Sequence, residues 1–170
     1  MDELRENQLM QIEMLKSFHE FCKENALRYY IIGGTAIGAL RHHGFIPWDD
    51  DIDLGMPRKD YNKLISTYNK KRTNDRYILE SPYTKNKDYC YTYSKLYDSK
   101  TLLVEKLKKE FVRGVFIDIF PIDGVGASNN PFLFFAVLNT VRKNRTIGLE
   151  RAIRCPMWNC SYNQNTKRIL

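Results

Sequence analysis

Long apolar runs are the first thing this chain lacks. No stretch reaches the roughly 18 consecutive apolar residues of a membrane-spanning helix, so no transmembrane segment is expected. The opening MDELRENQLM has no basic-then-apolar leader pattern, which makes the cytoplasm the expected compartment. Cysteine is sparse as well. Cys22, Cys90, Cys155 and Cys160 include one close pair, in CPMWNC, with no CxxC spacing and no histidine pair nearby. Reduced thiols are therefore expected rather than a disulfide framework or a zinc site. Internal repeats, low-complexity segments and interdomain linkers are missing too. So are helix-turn-helix, zinc-finger and RNA-binding aromatic signatures, and nucleic acid is not an expected partner.

What is present suits one folded domain: 170 residues, 43% of them hydrophobic, can bury a core. The net charge of +7 calls for an anionic partner. Because the Lys and Arg residues are scattered rather than gathered in one tract, a nucleotide fits better than a nucleic acid.

The spacing of Leu4, Met10, Met14 or Leu15, Phe18 and Phe21 predicts an amphipathic helix over 3–23 that covers one side of a sheet. Residues 28–32 read as a short strand entering Gly33-Gly34, followed by a helix over 35–41 with Thr35 as its N-cap. Pro47 breaks the chain. A strand over 52–56 follows, its end marked by Gly55 and Pro57, and then a helix over 61–68. Further strands are predicted over 77–79, 89–97 and 102–105, and VFIDIF at 115–120, closed by Pro121, is the strongest. The apolar PFLFFAVLNTV at 131–141 predicts a buried or interfacial helix, ahead of a basic tail over 142–170 that stops without a closing element. The expected fold class is α/β (α+β), a mixed sheet flanked by helices. Residues 1–130 are expected to form the main unit, and 131–170 an incomplete C-terminal part of the same domain.

Three features fit one mechanism. Asp51 and Asp53 flank Ile52, and in an extended segment the side-chain period of two turns both carboxylates to one face and Ile52 to the core. Such a pair suits a hard divalent cation, Mg2+ or Mn2+, completed by water and substrate phosphates. Asp118 lies inside the apolar VFIDIF strand, where a carboxylate is costly unless paired or metal-bound, so it is expected to share the cation. Gly33 and Gly34 would let backbone N–H groups approach phosphate oxygens at a helix start. Plainer readings stand beside these: a simple turn for the glycines, a solvated loop for the aspartate run, a turn cap for Asp118. Asp49 and Asp50 would face opposite ways on a strand, so only one could join the cluster, Asp49 before Asp50. His42 and His43 could assist acid–base work or be structural. Trp48 could stack on a base or a quaternary ammonium, or plug the core beside Pro47.

The segments IIGGTAIGALRHHGFIPWDDDIDLGMPRKDY, YSKLYDSKT and GVFIDIFPIDG, in that order from Tyr30 to Gly124, resemble the LicD family of phosphotransferases within the nucleotidyltransferase superfamily. The resemblance implies a nucleotidyltransferase-like sheet. It also implies magnesium-dependent transfer of a phospho-alcohol, typically phosphocholine, from a CDP-activated donor to a sugar hydroxyl of a cell-surface glycopolymer. By motif position Asp51 and Asp53 would hold the metal, and Asp118 would complete the site or act as base on the acceptor hydroxyl. Gly33, Gly34 and Thr35 would face the donor phosphates. Arg41 and Lys95 would neutralise the developing phosphate charge, as charge stabilisation dominates such transfers, or else be ordinary solvated cations. The acceptor would be a glycopolymer or a lipid-linked glycan, reached at the inner face of the membrane. The C-terminal RAIRCPMWNCSYNQNTKRIL departs from the family's usual continuation, so an incomplete acceptor half is expected. Two other functions remain open: transfer of the nucleotide itself to a small acceptor, and an inactive remnant that still binds nucleotide.

Overall fold

A computed structural model of the chain describes residues 3–72, 74–84, 89, 91–106, 110–124 and 167–169. The first helix, α1 (Glu3–Glu24), buries Asn7, Gln11, Met14, Phe18 and Phe21, a stripe stepping by four and three residues as a helix face requires. Glu3 and Glu6 in its first turn and Lys23 in its last suit the helix dipole. Leu4 and Met10, expected on the apolar stripe, are only half-buried. Polar amides occupy the N-terminal half of the buried stripe instead.

The remaining elements are β1 (Tyr30–Ile31), α2 (Gly33–His42), β2 (Asp53–Pro57), α3 (Arg58–Lys71), β3 (Tyr77–Glu80), β4 (Ser94–Asp98), β5 (Leu103–Lys106), β6 (Glu110–Arg113), β7 (Phe116–Ile122) and β8 (Lys167–Ile169). Five strands form one mixed sheet in the order β1-β2-β7-β4-β3, in which β2 and β7 run parallel and the other neighbours antiparallel. A second sheet, β6-β5-β8, is antiparallel. The expected mixed sheet flanked by helices is what forms.

Strand alternation gives the five-stranded sheet two unlike faces. One carries Leu54, Met56, Leu79, Leu96, Ile117 and Ile119, all buried against Met14, Phe18 and Phe21 of α1 and Tyr61, Leu64 and Tyr68 of α3. Each such side chain contributes about 1.5–3 kcal/mol by leaving water, and truncating Ile117 to alanine would cost about 2–5 kcal/mol. The opposite face carries Asp53, Lys95, Tyr97, Phe116 and Asp118. This is the face that carries the expected site residues Asp53, Lys95 and Asp118.

Several boundaries differ from expectation for identifiable reasons. Strand β7 runs through Pro121 to Ile122, because Asp118 N–H donates to Ile52 O at 2.9 Å and alternation then turns the Pro121 nitrogen toward β4. Pairing with β4 ends at Ile119, so the missing N–H costs no ladder bond. Helix α3 begins at Arg58 rather than Tyr61, directly after Pro57. The predicted strand over 89–97 is confined to Ser94–Asp98. Ahead of it, the alternating tyrosines form a ring ladder, with Tyr89 and Tyr91 centroids 5.5 Å apart and Tyr91 and Tyr93 5.4 Å apart. Strands β6 and β8 were not anticipated. The predicted helix at 131–141 lies outside the described residues, as does most of the 142–170 tail. Cys22 is a buried free thiol, pushed up to about 12 by burial and then by the Asp60 carboxylate, hence unreactive; the other three cysteines lie outside the described residues. No helix among the described residues is long and apolar enough to cross a membrane.

Candidate active site

Asp53 heads β2, and the register sets it beside Asp118 of β7, which in turn lies beside Lys95 of β4. Register partners project to the same side of a sheet. Three charged side chains therefore stand in a row across three adjacent strands, on the face away from α1 and α3. Ile52 and Leu54, 2% and 0% exposed, point the other way. Asp51 and Asp53 are half-buried while Ile52 is in the core, the burial pattern that the Asp-Ile-Asp alternation predicts, although β2 itself begins only at Asp53.

The start of α2 closes over this row. Gly33 sits at φ +58°, and a Cβ there would lie 2.8 Å from Asp53 Oδ2; a Cβ on Gly34 would lie 2.8 Å from Asp49 Oδ2. Both glycines thus make room for carboxylates at the helix N-terminus, where the dipole favours negative charge. Thr35 is not the N-cap. That position is Ile32, with no side-chain cap bond, because the helix starts two residues earlier than predicted. The Thr35 hydroxyl instead accepts the Asp53 N–H at 2.8 Å, and Ile32 N–H donates to Asp53 O at 3.1 Å, stitching α2 to β2.

The acidic run does not follow strand geometry before Asp53. Asp49, Asp50 and Asp51 lie in a loop, where no pleat forces neighbours apart, and one carboxylate oxygen from each lies within 4.8 Å of the others. The expectation that only one of Asp49 and Asp50 could join the cluster is corrected accordingly. Burial raises the Asp49 carboxyl, with Asp51 and Asp50 adding to it, and its Oδ2 is buried without a hydrogen-bond partner. Asp53 is pushed up to about 6 by burial, then by Asp51, Asp118 and Asp49, with Lys95 opposing.

Asp118, 5% exposed, has a partner within the protein: Lys95 Nζ donates to its Oδ1 at 2.7 Å. The sequence argument that it needs an external cation is amended, since Lys95 supplies a positive charge. Burial still outweighs Lys95 and leaves the Asp118 carboxyl raised, with Asp51 adding to it. Lys95 is itself 3% exposed, which removes its solvated-cation reading. Its ammonium stands 3.3 Å from the Phe116 ring centroid, 4.5 Å from Tyr91 and 5.4 Å from Tyr93, an aromatic cage that offsets desolvation of the cation.

Other expected residues lie apart from the row. Arg41 is exposed in the last turn of α2, eight residues beyond Gly33 and so about 12 Å away along the helix axis. His42 ends α2, and His43, at φ 53°, forms its left-handed C-terminal cap, which accounts for the pair structurally. Trp48 is 77% exposed, so it does not plug the core. Sequence reasoning missed the cage residues Tyr91, Tyr93 and Phe116. It also missed Asn7, Gln8 and Gln11 of α1, whose amides reach the acidic loop. Amides continuing the apolar stripe of a helix were the available signal.

The carboxylate oxygens here are hard donors, and Asp49 and Asp53 are raised by burial first and by neighbouring carboxylates second, a state that a divalent cation would relieve. Oxygen donors of this kind suit Mg2+ or Mn2+, but among the described residues the carboxylates gathered within 4.8 Å are those of Asp49, Asp50 and Asp51, whereas Asp53 and Asp118 of the expected set Asp51, Asp53 and Asp118 stand in the adjacent strand row.

Comparison with known proteins identifies the family. The chain is 35% identical over 147 residues to the lipopolysaccharide cholinephosphotransferase LicD of Haemophilus influenzae, covering 86% of this chain and 52% of that protein. It is 32% identical over 123 residues to mannosyltransferase regulator 4 of Saccharomyces cerevisiae, covering 69% of this chain and 10% of that one. Over 34 residues it is 50% identical to the ribitol 5-phosphate transferase FKRP of Homo sapiens, covering 20% of this chain and 7% of that one. The chain thus spans about half the length of the Haemophilus relative and far less of the others. The family described as LicD/FKTN/FKRP, nucleotidyltransferase domain, matches residues 26–154, beyond the Gly124 at which the motifs end. The chain belongs to the LicD/FKTN/FKRP nucleotidyltransferase-domain family.

Proposed function

We propose that this chain carries the catalytic site of a phospho-alcohol transferase. The donor is a CDP-alcohol, CDP-choline first. The acceptor is a sugar hydroxyl of a cell-surface glycopolymer such as lipopolysaccharide, teichoic acid or capsule, or of its lipid-linked precursor at the cytoplasmic face of the membrane. The observation that carries this is the row Asp53–Asp118–Lys95 at the start of α2, in a family whose relatives include a cholinephosphotransferase and a ribitol 5-phosphate transferase.

Asp51, Asp53 and Asp118 would hold a divalent cation. Bound there, it would neutralise pyrophosphate oxygens and the charge that develops as the bond to CMP breaks. Around it the chain's own residues position the reactants. The first turn of α2, at Gly33, Gly34 and Thr35, offers its N–H groups to the donor phosphates. Asp118, held by Lys95, would either complete the cation site or take the acceptor's hydroxyl proton. The acceptor oxygen bonds to the phosphorus that bears the alcohol, the P–O bond to CMP breaks, and CMP leaves with the bonding pair. Lys95 acts through Asp118, and Arg41 lies too far along α2 to take the charge-neutralising role unless the donor extends to it.

Release of CMP from CDP-choline, CDP-ribitol or CDP-glycerol, with a glycan acceptor and with or without Mg2+, tests this reading. Magnesium-dependent CMP release with phospho-alcohol appearing on the glycan is the expected result. Pyrophosphate release from CTP or ATP would instead favour transfer of the nucleotide. Binding without turnover of any donor would make the chain a nucleotide-binding remnant.

A further inference from the structure

We propose that Asn7, Gln8 and Gln11 of α1 are positioning residues for the acidic loop. Their side-chain amides fix the backbone of Asp49 and Asp50, and thereby gather the carboxylates of Asp49, Asp50 and Asp51. Asn7 Nδ2 donates to Asp50 O at 2.7 Å, Gln11 Nε2 donates to the same carbonyl at 2.8 Å, and Gln8 Nε2 donates to Asp49 O at 2.9 Å. All three side chains belong to buried residues, 6%, 4% and 2% exposed in the order Asn7, Gln8, Gln11. They reach loop positions about forty residues on in sequence, so these are tertiary contacts and not local helix chemistry.

Two features separate this clamp from ordinary core filling. First, Gln11 Oε1 is buried with no hydrogen-bond partner. A carbonyl acceptor at Asp50 dictates that the amide present its NH2, so the orphaned oxygen is the unavoidable other end of the same group. An apolar side chain at that position would continue the Met14–Phe18–Phe21 stripe without that penalty, and the penalty is borne where α1 meets the loop.

Second, the clamp is neutral. One carboxylate oxygen from each of the three lies within 4.8 Å of the others, and their like charge favours opening of the loop. Lysine or arginine could hold it shut, but their charge would cancel the negative field that attracts a cation. Amide donors aimed at backbone carbonyls restrain the loop and leave the field intact. The geometric role stands on the contacts themselves; its consequence for metal affinity rests on the cation reading given above.

Hydrogen–deuterium exchange on the metal-free protein tests the clamp directly, with the Asp49 N–H, bonded to Ile46 O at 2.9 Å, as reporter. In the Gln8→Met/Gln11→Met variant, exchange across 49–51 should speed up about 10-fold while β7 and the rest of α1 keep their protection. Met14→Ala, in the same helix but away from the loop, should loosen the core without singling out the loop. Loop exchange equal to wild type in the clamp variant would overturn the proposal. If the double variant fails to fold, Gln8→Met alone should show a smaller rise confined to 49–50, and no rise there would be equally fatal. In a Mg2+ titration followed by thermal shift, the clamp variant should bind about 10-fold more weakly than wild type, and Met14→Ala should not. A wild type that ignores Mg2+ would refute the cation reading, while the exchange data would still decide the clamp.

Discussion

Asp98 and Asp118 are buried aspartates on neighbouring strands of one sheet, each facing a cation, and they are built for opposite ends. Asp98, 1% exposed, receives Arg76 Nε at 2.8 and 2.9 Å and Nη2 at 2.6 Å, and the Lys100 N–H at 3.0 Å. The fork closes its charge, and the Asp98 carbonyl also accepts the Thr101 hydroxyl at 3.1 Å, shaping the turn after β4. Asp118 has one ammonium at 2.7 Å and stands among Asp51 and Asp53, which push charge back at it. The first site is balanced and serves the fold. The second is short of positive charge, a deficit that a divalent cation would relieve.

The largest expected effect separates the two sites by activity. Asp53→Asn or Asp118→Asn should lower magnesium-dependent CMP release about 1,000-fold. Asp98→Asn, measured per folded molecule, should stay within a few-fold of wild type. Comparable activity losses in both sites would erase the distinction. Stability should reverse the order: Asp98→Asn should cost about 2–3 kcal/mol in denaturant unfolding, since it breaks a charge-assisted fork. Asp53→Asn should cost nothing measurable in metal-free buffer, because it removes a repelling charge.

A pH series sharpens the contrast further. Asp53 is raised from 3.8 to about 6 in the folded protein, so between those values the native state binds the extra proton. Stability without metal should therefore fall as pH rises from about 4 to 6 and level off above, and the slope should shrink in Asp53→Asn. Saturating Mg2+ favours the carboxylate and should flatten the same slope in the wild type. A metal-free stability that instead rises through that window would show that the acidic cluster does not dominate it.

The smallest effect concerns Trp48, exposed beside the acidic loop. Trp48→Ala should leave the unfolding free energy within about 0.5 kcal/mol. It should raise KM for CDP-choline about 2–5-fold, as expected of an exposed cation–π contact, while leaving CDP-ribitol unaffected. Equal changes for both donors would assign Trp48 to the cytidine or to neither.

Much of this was legible in the residues themselves. The Asp-Ile-Asp period, the glycine pair and the carboxylate in VFIDIF located the row, because alternation along a strand is a local property. Lys95 was picked for its charge, but its partner was invisible: the Lys95–Asp118 pairing depends on the β4–β7 register, which no local pattern sets. The tyrosine run imitated a strand because ring stacking and strand pleating share a period of two. Thr35 looked like a cap because the local pattern does not show that the helix starts two residues earlier, at a Gly33 with positive φ. The role of the α1 amides was invisible as well, since only the folded loop gives them carbonyls to hold.

Calorimetric titration of Mg2+ into wild type, Asp53→Asn and Asp98→Asn most directly tests the claim that the open-face row is a cation-dependent donor site. Wild type and Asp98→Asn should bind alike, with Asp53→Asn weaker by about 10-fold or more. No binding by wild type, or equal binding by all three proteins, would contradict it.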